Sequence, residues 1–229
     1  MWTFPLIAAL VALAFAALLL KQFAGRRRPY QLVWSVALLM YAAGSFALFL
    51  GVLDGWSAGE YKAYWLLGAI LNVPFLALGE VYLLVRDRRI GNALLLVLIF
   101  LTAFAFNRVR TAGLDDTALA KDLPLGKDVF ANDTLPYRLS QLYAYPAYVF
   151  LLAGCGWSVW RMRGKPELRD RELGTIGIAA GATVVAIGSG VGAGLNVVPL
   201  FSIGLAAGIA IMFWGFLRAS RPAPVPVSS

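Results

Sequence analysis

The chain has 229 residues, of which 60% are hydrophobic and 14% are charged, and its net charge is +8. Soluble domains carry nearer a quarter of charged residues, so the composition indicates a membrane protein, and the length fits one helical bundle without a separate soluble domain. The absence of histidine and the single cysteine, Cys155, exclude a Ser-His-Asp triad, a His-ligated zinc or haem site and an intrachain disulfide.

Seven apolar runs follow one another and predict an all-α fold of seven transmembrane helices in a single bundle, residues 1–217. The predicted spans are residues 4–20, 32–53, 64–85, 91–106 and 143–160, with two glycine-rich spans inside 174–217. Basic residues follow the first span instead of preceding it, the reverse of a secretory signal, so we expect this span to be retained. The fourth span has only 16 residues and needs flanking residues to cross a bilayer. Residues 218–229 are proline-rich and are predicted to form a disordered cytoplasmic tail.

The basic residues predict the orientation of the bundle. With the N-terminus outside, fourteen lysines and arginines lie in cytoplasmic segments and six lie outside. This asymmetry predicts a multi-pass plasma-membrane protein with its C-terminus inside, whose basic segments contact membrane lipids and not nucleic acid. Tryptophans at helix ends are interpreted as interfacial belts, with Trp34, Trp157, Trp160 and Trp214 inside and Trp56 and Trp65 outside.

The segment 107–138 is the one long connection in the sequence and is predicted to be external. It carries five aspartates, but their spacing is not that of an EF-hand and basic residues are interspersed, so no metal site is predicted. It also carries the apolar residues Leu123, Leu125, Val129 and Phe130. Because long connections are usually either functional or disordered, and apolar residues favour a folded segment, we expect a folded cap over the outer face.

Residues 174–217 contain ten of the 23 glycines and no charged residue. Glycines four residues apart let two membrane helices approach closely, so we predict a tight hairpin of the sixth and seventh helices, joined at Asn196 and Val197. The packing residues are predicted to be Gly181, Gly188, Gly192, Gly204 and Gly208, with Gly204 facing Gly188 and Gly208 facing Gly181. We expect a large side chain at Gly215, near the inner boundary, to cost less than one at Gly188 or Gly204.

Two predicted helices carry a proline near polar or aromatic residues. Asn72 and Pro74 lie near the middle of the third span, and Tyr145, Pro146 and Tyr148 lie in the outer half of the fifth. Each proline removes a helix hydrogen bond and is expected to bend its helix. We expect Asn72 to bond freed backbone or a neighbouring helix, and the tyrosines to belong to the interfacial belt. The alternative is that Asn72, Tyr145 and Tyr148 line an outward pocket opposite the glycine-rich pair.

Glu80 is the one carboxylate well inside a predicted span. Acidic residues within the membrane are functional candidates by default. Glu80 lies six residues before Arg86, which is about 9 Å from the inner boundary in an α-helix. We therefore expect its side chain to reach the inner interface and to pair with an arginine of the connection, and the alternative is a buried functional acid.

Segments two and three, which read RRRPYQLVWSVALLMYAAGSFALFLG and YWLLGAILNVPFLALGEVYLL, and the later GKDVFANDTLPYRL resemble uncharacterised seven-helix membrane proteins of bacteria. The architecture is also loosely similar to the seven-helix sensor modules of bacterial kinases. Rhodopsins share the helix number, but their retinal lysine lies in the last helix, and every lysine here lies outside the predicted helices. The resemblance implies a bacterial inner-membrane location, no retinal and no known activity.

Taken together, these features predict a non-enzymatic membrane protein without a cofactor. It is expected to be a receptor-like or lipid- or small-molecule-binding module, or an accessory subunit with a protein partner in a membrane complex. A transporter or channel is the alternative, although the predicted spans contain few polar residues for an ion path. No catalytic residue is assigned, since an intramembrane enzyme needs an acid-base pair and only Glu80 is available within the helices.

Overall fold

A computed structural model describes residues 3–195 and 197–221, and within this part of the chain the fold is all-helical, with no strand. Seven helices are long and apolar enough to cross a membrane, which confirms the predicted number. Six of them are α1 (Thr3–Arg26), α2 (Pro29–Asp54), α5 (Arg88–Thr111), α8 (Leu135–Met162), α9 (Arg169–Gly194) and α10 (Val198–Ala219). The third span, Ala58–Leu84, combines α3 (Ala58–Tyr64), a π-helical stretch (Trp65–Leu71) and α4 (Asn72–Leu84). Two single-turn helices, α6 (Asp116–Leu119) and α7 (Gly126–Val129), lie between α5 and α8.

Helix boundaries extend beyond the apolar runs because polar residues continue and cap the helices. The fourth span has 24 residues, and the Asp87 side chain accepts a hydrogen bond from Arg89 N at its start. At the C-terminus, α10 continues to Ala219, so the predicted tail begins later than residue 218. The predicted disorder of residues 222–229 lies outside the described residues.

The third span changes its hydrogen-bonding pattern just before Pro74. Proline cannot donate to the carbonyl of Ile70, and its ring crowds that carbonyl. The π-helical stretch ends at Leu71, so the wider turn falls where the regular α-helical ladder is interrupted. The residues before Pro74 thus form a π-helical stretch, a form that often occurs at functional sites, and the bend expected at this proline stays a prediction.

The seven spans run alternately between two sides of the bundle. One side, called the loop side below, holds the connection between α2 and α3, the segment 112–134 and the joint between α9 and α10. The opposite side holds the connections after α1, α4 and α8. Helices α1, α2 and α10 share a core of alanine, leucine and phenylalanine side chains, and α4 packs between α2 and α8.

Helices α9 and α10 form the tight hairpin that the glycines predict. A Cβ added to Gly188 would lie 2.7 Å from Gly204 Cα, and one added to Gly181 would lie 2.5 Å from Gly208 O. A Cβ on Gly192 would lie 2.6 Å from Phe201 N. The predicted pairs are therefore confirmed. Of the predicted joint, Val197 N donates to Gly192 O, and Asn196 lies outside the described residues.

The expectation that a large side chain at Gly215 costs less than one at Gly188 or Gly204 is wrong in its premise, because Gly215 is packed as closely as they are. A Cβ on Gly215 would lie 2.6 Å from Gly174 O and 2.8 Å from Ile178 N. The backbone contact thus continues to the opposite side of the bundle, where Arg218 Nε donates to Asp170 Oδ1 at 3.0 Å. The close approach runs along most of the hairpin because glycines recur on the facing sides of both helices.

The segment 112–134 packs as a cap on the loop side, as its apolar residues predict. Leu123, Val129 and Phe130 are buried, and Asp115 N donates to Val129 O across the cap. The third span holds the cap in place, because Tyr61 Oη donates to Pro124 O at 3.2 Å and the Trp65 ring packs against Gly126, while Trp65 Nε1 donates to Pro136 O at the start of α8 at 3.1 Å.

Two of the tryptophans assigned to interfacial belts are interior residues. Trp65 is buried, and its ring lies against Gly126 of α7. Trp34 is also buried; its ring covers Gly79, and its Nε1 donates to Leu76 O at 2.9 Å. The position of a tryptophan at a helix end therefore did not show whether its indole faces lipid or a neighbouring helix. The belt assignment uses only the depth of the residue along the membrane normal.

Candidate functional site

A cavity of about 640 Å³ lies on the loop side of the bundle, beneath the cap. Its walls come from α2, the third span, α8, α9 and α10, and residues 123–127 cover it. A cavity of this size falls within the range of small-molecule sites. The space exists because small residues line several of its helices; these are Gly44, Gly68, Ala69, Ala144, Ala182, Ala186 and Gly190.

The two walls of the cavity differ in polarity. The wall formed by α9 and α10 is mainly apolar and includes Val185, Phe201, Leu205, Ile209 and Met212. The wall formed by α2 and the third span carries the polar residues Tyr41, Ser45, Tyr64 and Asn72, and α8 adds Tyr137, Ser140, Gln141, Tyr145 and Tyr148. The cavity is therefore amphipathic, which is typical of a site that binds an apolar molecule through a few placed hydrogen bonds.

Asn72 lies at the inner end of the polar wall, near the middle of the third span. Its side chain is 95% buried, and its Nδ2 donates to Ala37 O of α2 at 2.7 Å. This bond to a neighbouring helix confirms the expected packing role. The other end of the amide, Oδ1, has no hydrogen-bond partner within the described part of the chain and belongs to the cavity lining.

Two hydroxyl groups lie nearer the cap on the same wall. Ser45 is buried on α2 and Tyr64 is half-buried at the end of α3, and neither hydroxyl has a hydrogen-bond partner among the described residues. Their helices approach closely, since a Cβ on Gly44 would lie 3.3 Å from Gly68 Cα. By contrast, Tyr41 Oη is occupied, because it donates to Leu205 O at 2.9 Å.

The cavity opens between α8 and α9. Its exposed lining residues are Lys127 on the cap, Tyr145 on α8 and Gly190 on α9, with Tyr145 63% exposed. Further from the cap, Tyr148 Oη donates to Thr183 Oγ1 at 3.0 Å and joins the two helices. The exposed part of the lining therefore lies on the cap and on the facing ends of α8 and α9, between the cap and this hydrogen bond.

A floor of apolar side chains closes the cavity towards the opposite side. Leu38, Leu76, Leu151 and Met212 line the main cavity from below and also line a second cavity of about 20 Å³ beneath it. The second cavity has room for about one water molecule. All its lining residues are apolar, so nothing in its walls would hold a water chain.

Glu80 lies below this floor, two turns beyond Asn72 on α4. The expectation that it reaches the interface and pairs with an arginine is wrong: its side chain is 97% buried, and no ion pair or hydrogen bond of Glu80 is present within residues 3–195 and 197–221. The side chain fits against Gly154 of α8, where an added Cβ would lie 2.8 Å from both Cγ and Oε1 of Glu80. The helix contact keeps the carboxyl group inside because glycine leaves room for it there.

Of the four candidate ligand residues, three line the same cavity and one does not. Asn72, Tyr145 and Tyr148 come together there, whereas Glu80 is separated from it by Leu76 and Leu151. Sequence reasoning predicted the cap that covers the cavity but missed Ser45 and Tyr64 as lining residues. A serine and a tyrosine within apolar runs carry no distinctive spacing, and only the contact of α2 with the third span brings them to one wall.

Comparison with protein-family models, with curated proteins and with solved structures gives no match for this chain. The sequence resemblance to bacterial seven-helix proteins therefore transfers no ligand and no site residue.

Proposed function

We propose that this protein is a non-enzymatic membrane module that binds one small, lipid-soluble molecule in the cavity beneath the cap. The observation that carries the proposal is the combination of size and chemistry: a space of about 640 Å³ with one mainly apolar wall, and a polar wall on which the Ser45 and Tyr64 hydroxyls and Asn72 Oδ1 have no partner among the described residues. Apolar burial supplies the affinity of such sites, and a few hydrogen bonds select the ligand.

The proposal includes a location and an orientation. The protein is a multi-pass protein of a bacterial plasma membrane, with the cap outside and the C-terminus in the cytoplasm. The basic residues at the ends of the spans support this orientation through the positive-inside rule. Ligand binding would then change the conformation of the cap on the outer face. A protein partner that contacts the cap could recognise this change, as partners of receptors and accessory subunits do.

Ligand retention after purification tests the proposal. We expect native mass spectrometry of the protein released from mild detergent to show one bound molecule of lipid or another small apolar compound. Gly68→Leu is expected to remove it, because Gly68 lines the cavity and a Cβ there has only the Tyr64 ring within 4 Å, at 3.9 Å and beyond. The side chain would occupy ligand space without displacing a helix.

The matched control is Gly156→Leu. Gly156 is exposed on α8, lies outside the cavity, and an added Cβ meets nothing within 4 Å. We expect this variant to retain the bound molecule. Equal occupancy in the two leucine variants would contradict binding in the cavity.

Transport is a second candidate function, and the observation that favours it is Glu80. A buried, unpaired carboxyl group beneath the cavity floor is typical of residues on proton or substrate paths. Translocation of a fluorescent lipid in proteoliposomes measures this activity. If the protein is a transporter, the wild type moves the lipid and Glu80→Gln does not. If it only binds the ligand, neither the wild type nor Glu80→Gln moves the lipid.

A further inference from the structure

We propose that the ligand of the cavity is an uncharged alcohol that enters from the bilayer and donates its hydroxyl hydrogen to Asn72 Oδ1. This inference rests on the proposed function and names the chemical class of the ligand. It depends on three features: the unsatisfied acceptor on Asn72, the absence of charge around it, and the position of the opening.

The amide of Asn72 specifies a hydrogen-bond donor. Its Nδ2 donates one of its two N–H groups to Ala37 O, which fixes the amide orientation and leaves Oδ1 as the acceptor of this side chain at the cavity. Asn72 Oδ1 is accessible from the cavity, and a ligand that excludes water from this space avoids the cost of a lost hydrogen bond only if it donates to this oxygen. The hydroxyl groups of Ser45 and Tyr64 do not distinguish a donor from an acceptor on the ligand, because a hydroxyl group can both donate and accept.

The surroundings of Asn72 indicate that the donor is uncharged. No acidic residue lines the cavity in the described part of the chain, and the one basic residue that does, Lys127, lies exposed at the rim. An ammonium group next to Asn72 would have no counter-ion, and a carboxylate would find an acceptor where it needs a donor. Burying an unpaired charge costs far more than burying a hydroxyl group that forms a hydrogen bond.

The position of the opening indicates that the ligand comes from the membrane. Tyr145 and Gly190 border the opening on α8 and α9, within helices long and apolar enough to span a bilayer. Tyr145 lies two residues inside the apolar run 143–160, and Gly190 is the last residue of the candidate span on α9, so the opening lies near the loop-side end of the apolar region. An opening between two spans at this level is reached from the lipid next to the headgroups, and residues 123–127 of the cap cover the direct route from the loop side.

Three related probes test this inference in nanodiscs that contain the full chain: farnesol, its methyl ether and the corresponding acid, farnesoic acid at pH 8. The ether accepts hydrogen bonds but cannot donate one, and the acid carries a negative charge. We expect farnesol to bind about tenfold more tightly than the ether, which corresponds to one net hydrogen bond, and more tightly than the acid. Asn72→Leu is expected to abolish the preference for alcohol over ether.

The ratio of the two dissociation constants is the readout, because a general loss of packing in Asn72→Leu weakens both ligands alike. Ser202→Ala is the control: Ser202 is also buried with an unpartnered hydroxyl, but it does not line the cavity, so the preference should remain. If Asn72→Leu does not fold, the ratio of the wild-type dissociation constants for the ether and the alcohol tests the inference by itself. Equal binding of alcohol and ether, or tightest binding of the acid, would overturn the inference and leave the proposed function standing. If none of the probes binds and Gly68→Leu retains the native molecule, the proposed function fails as well.

Discussion

Two glycines of α8 differ in how much the packing of the bundle depends on the absence of a side chain. Gly154 and Gly156 are two residues apart and therefore face opposite directions on the helix. Gly154 contacts the side chains of Glu80 and Leu84, whereas Gly156 has open space around it. The same residue type is a packing requirement at one position and a cost in helix propensity at the other.

We predict that Gly154→Ala lowers the stability of the protein by about 1–3 kcal/mol, the usual range for overpacking. The added Cβ would lie 2.8 Å from Glu80 Oε1 and 2.9 Å from Leu84 Cδ1, so one helix must move. Gly156→Ala should leave stability unchanged or raise it slightly. Thermal unfolding in detergent measures both, and equal midpoints for the two variants would contradict the packing described for Glu80.

Asp115 makes the cap sensitive to acid. Hydrogen bonds from Thr117 Oγ1 and Ala118 N to its carboxylate hold the pKa of Asp115 below its usual range. Because the folded-state pKa is lower than the unfolded one, this group contributes stability above the unfolded pKa and loses it as pH falls through the folded value. We therefore expect faster hydrogen exchange of residues 115–120, relative to the intrinsic rate, below about pH 4.

Asp115→Asn is the control for this pH effect. An asparagine side chain still accepts from Ala118 N at the N-cap but does not titrate in this range. The variant should show the same exchange of residues 115–120 at neutral pH and no acid-dependent step. A step of equal size in the variant would assign the effect to another carboxylate.

At the scale of elements, the hairpin of α9 and α10 is held by backbone contact along most of its length. The contact at Gly174 and Gly215 is as close as the one at Gly188 and Gly204. Arg218 adds an ion pair to Asp170 and lies over the Trp214 ring at 5.5 Å. The expected cost of a larger side chain at each of these glycines therefore follows from its distance to the facing helix and not from its depth in the membrane.

We predict that Gly215→Leu and Gly204→Leu are both destabilising, each by about 1–3 kcal/mol or more, because both side chains would meet backbone atoms of α9. Gly190→Leu is the control on the same hairpin, since a Cβ there meets nothing within 4 Å. Thermal unfolding in detergent should place Gly190→Leu closest to the parent. A mild effect at Gly215 would show that α9 and α10 separate at that end.

At the scale of the whole molecule, charge and shape divide the bundle into two unlike sides. The loop side carries the cap, the cavity and few basic residues, and the opposite side carries most of the lysines and arginines. This division relates the cavity to one leaflet of the membrane. Orientation then decides whether the opening meets the outer or the inner leaflet.

We predict that the cap is external and the C-terminus cytoplasmic, because of the fourteen-to-six distribution of basic residues. A fluorescent protein that matures only in the cytoplasm, fused after Ser229, should be bright. Alkaline phosphatase inserted at Gly113, an exposed residue at the edge of the cap, should be active. A dark but fully expressed C-terminal fusion would reverse the orientation and the leaflet of the opening.

The sequence by itself determined the helix number, the approximate spans and the glycine contacts of the hairpin. These follow from patterns within a few tens of residues: apolar length for the spans, and small residues four apart for close approach. The apolar residues of the segment 112–134 likewise predicted a cap, and Phe130 and Val129 are buried in it.

The tertiary structure alone decided which side each polar residue faces. Trp34 and Glu80 lie near the ends of their spans, yet both are buried against small residues of neighbouring helices, Trp34 on Gly79 and Glu80 on Gly154. Ser45 and Asn72 belong to one cavity only because α2 packs against the third span. In a bilayer hydropathy sets depth along the membrane normal, but rotation about the helix axis is set by contacts between helices distant in sequence, which no local pattern encodes.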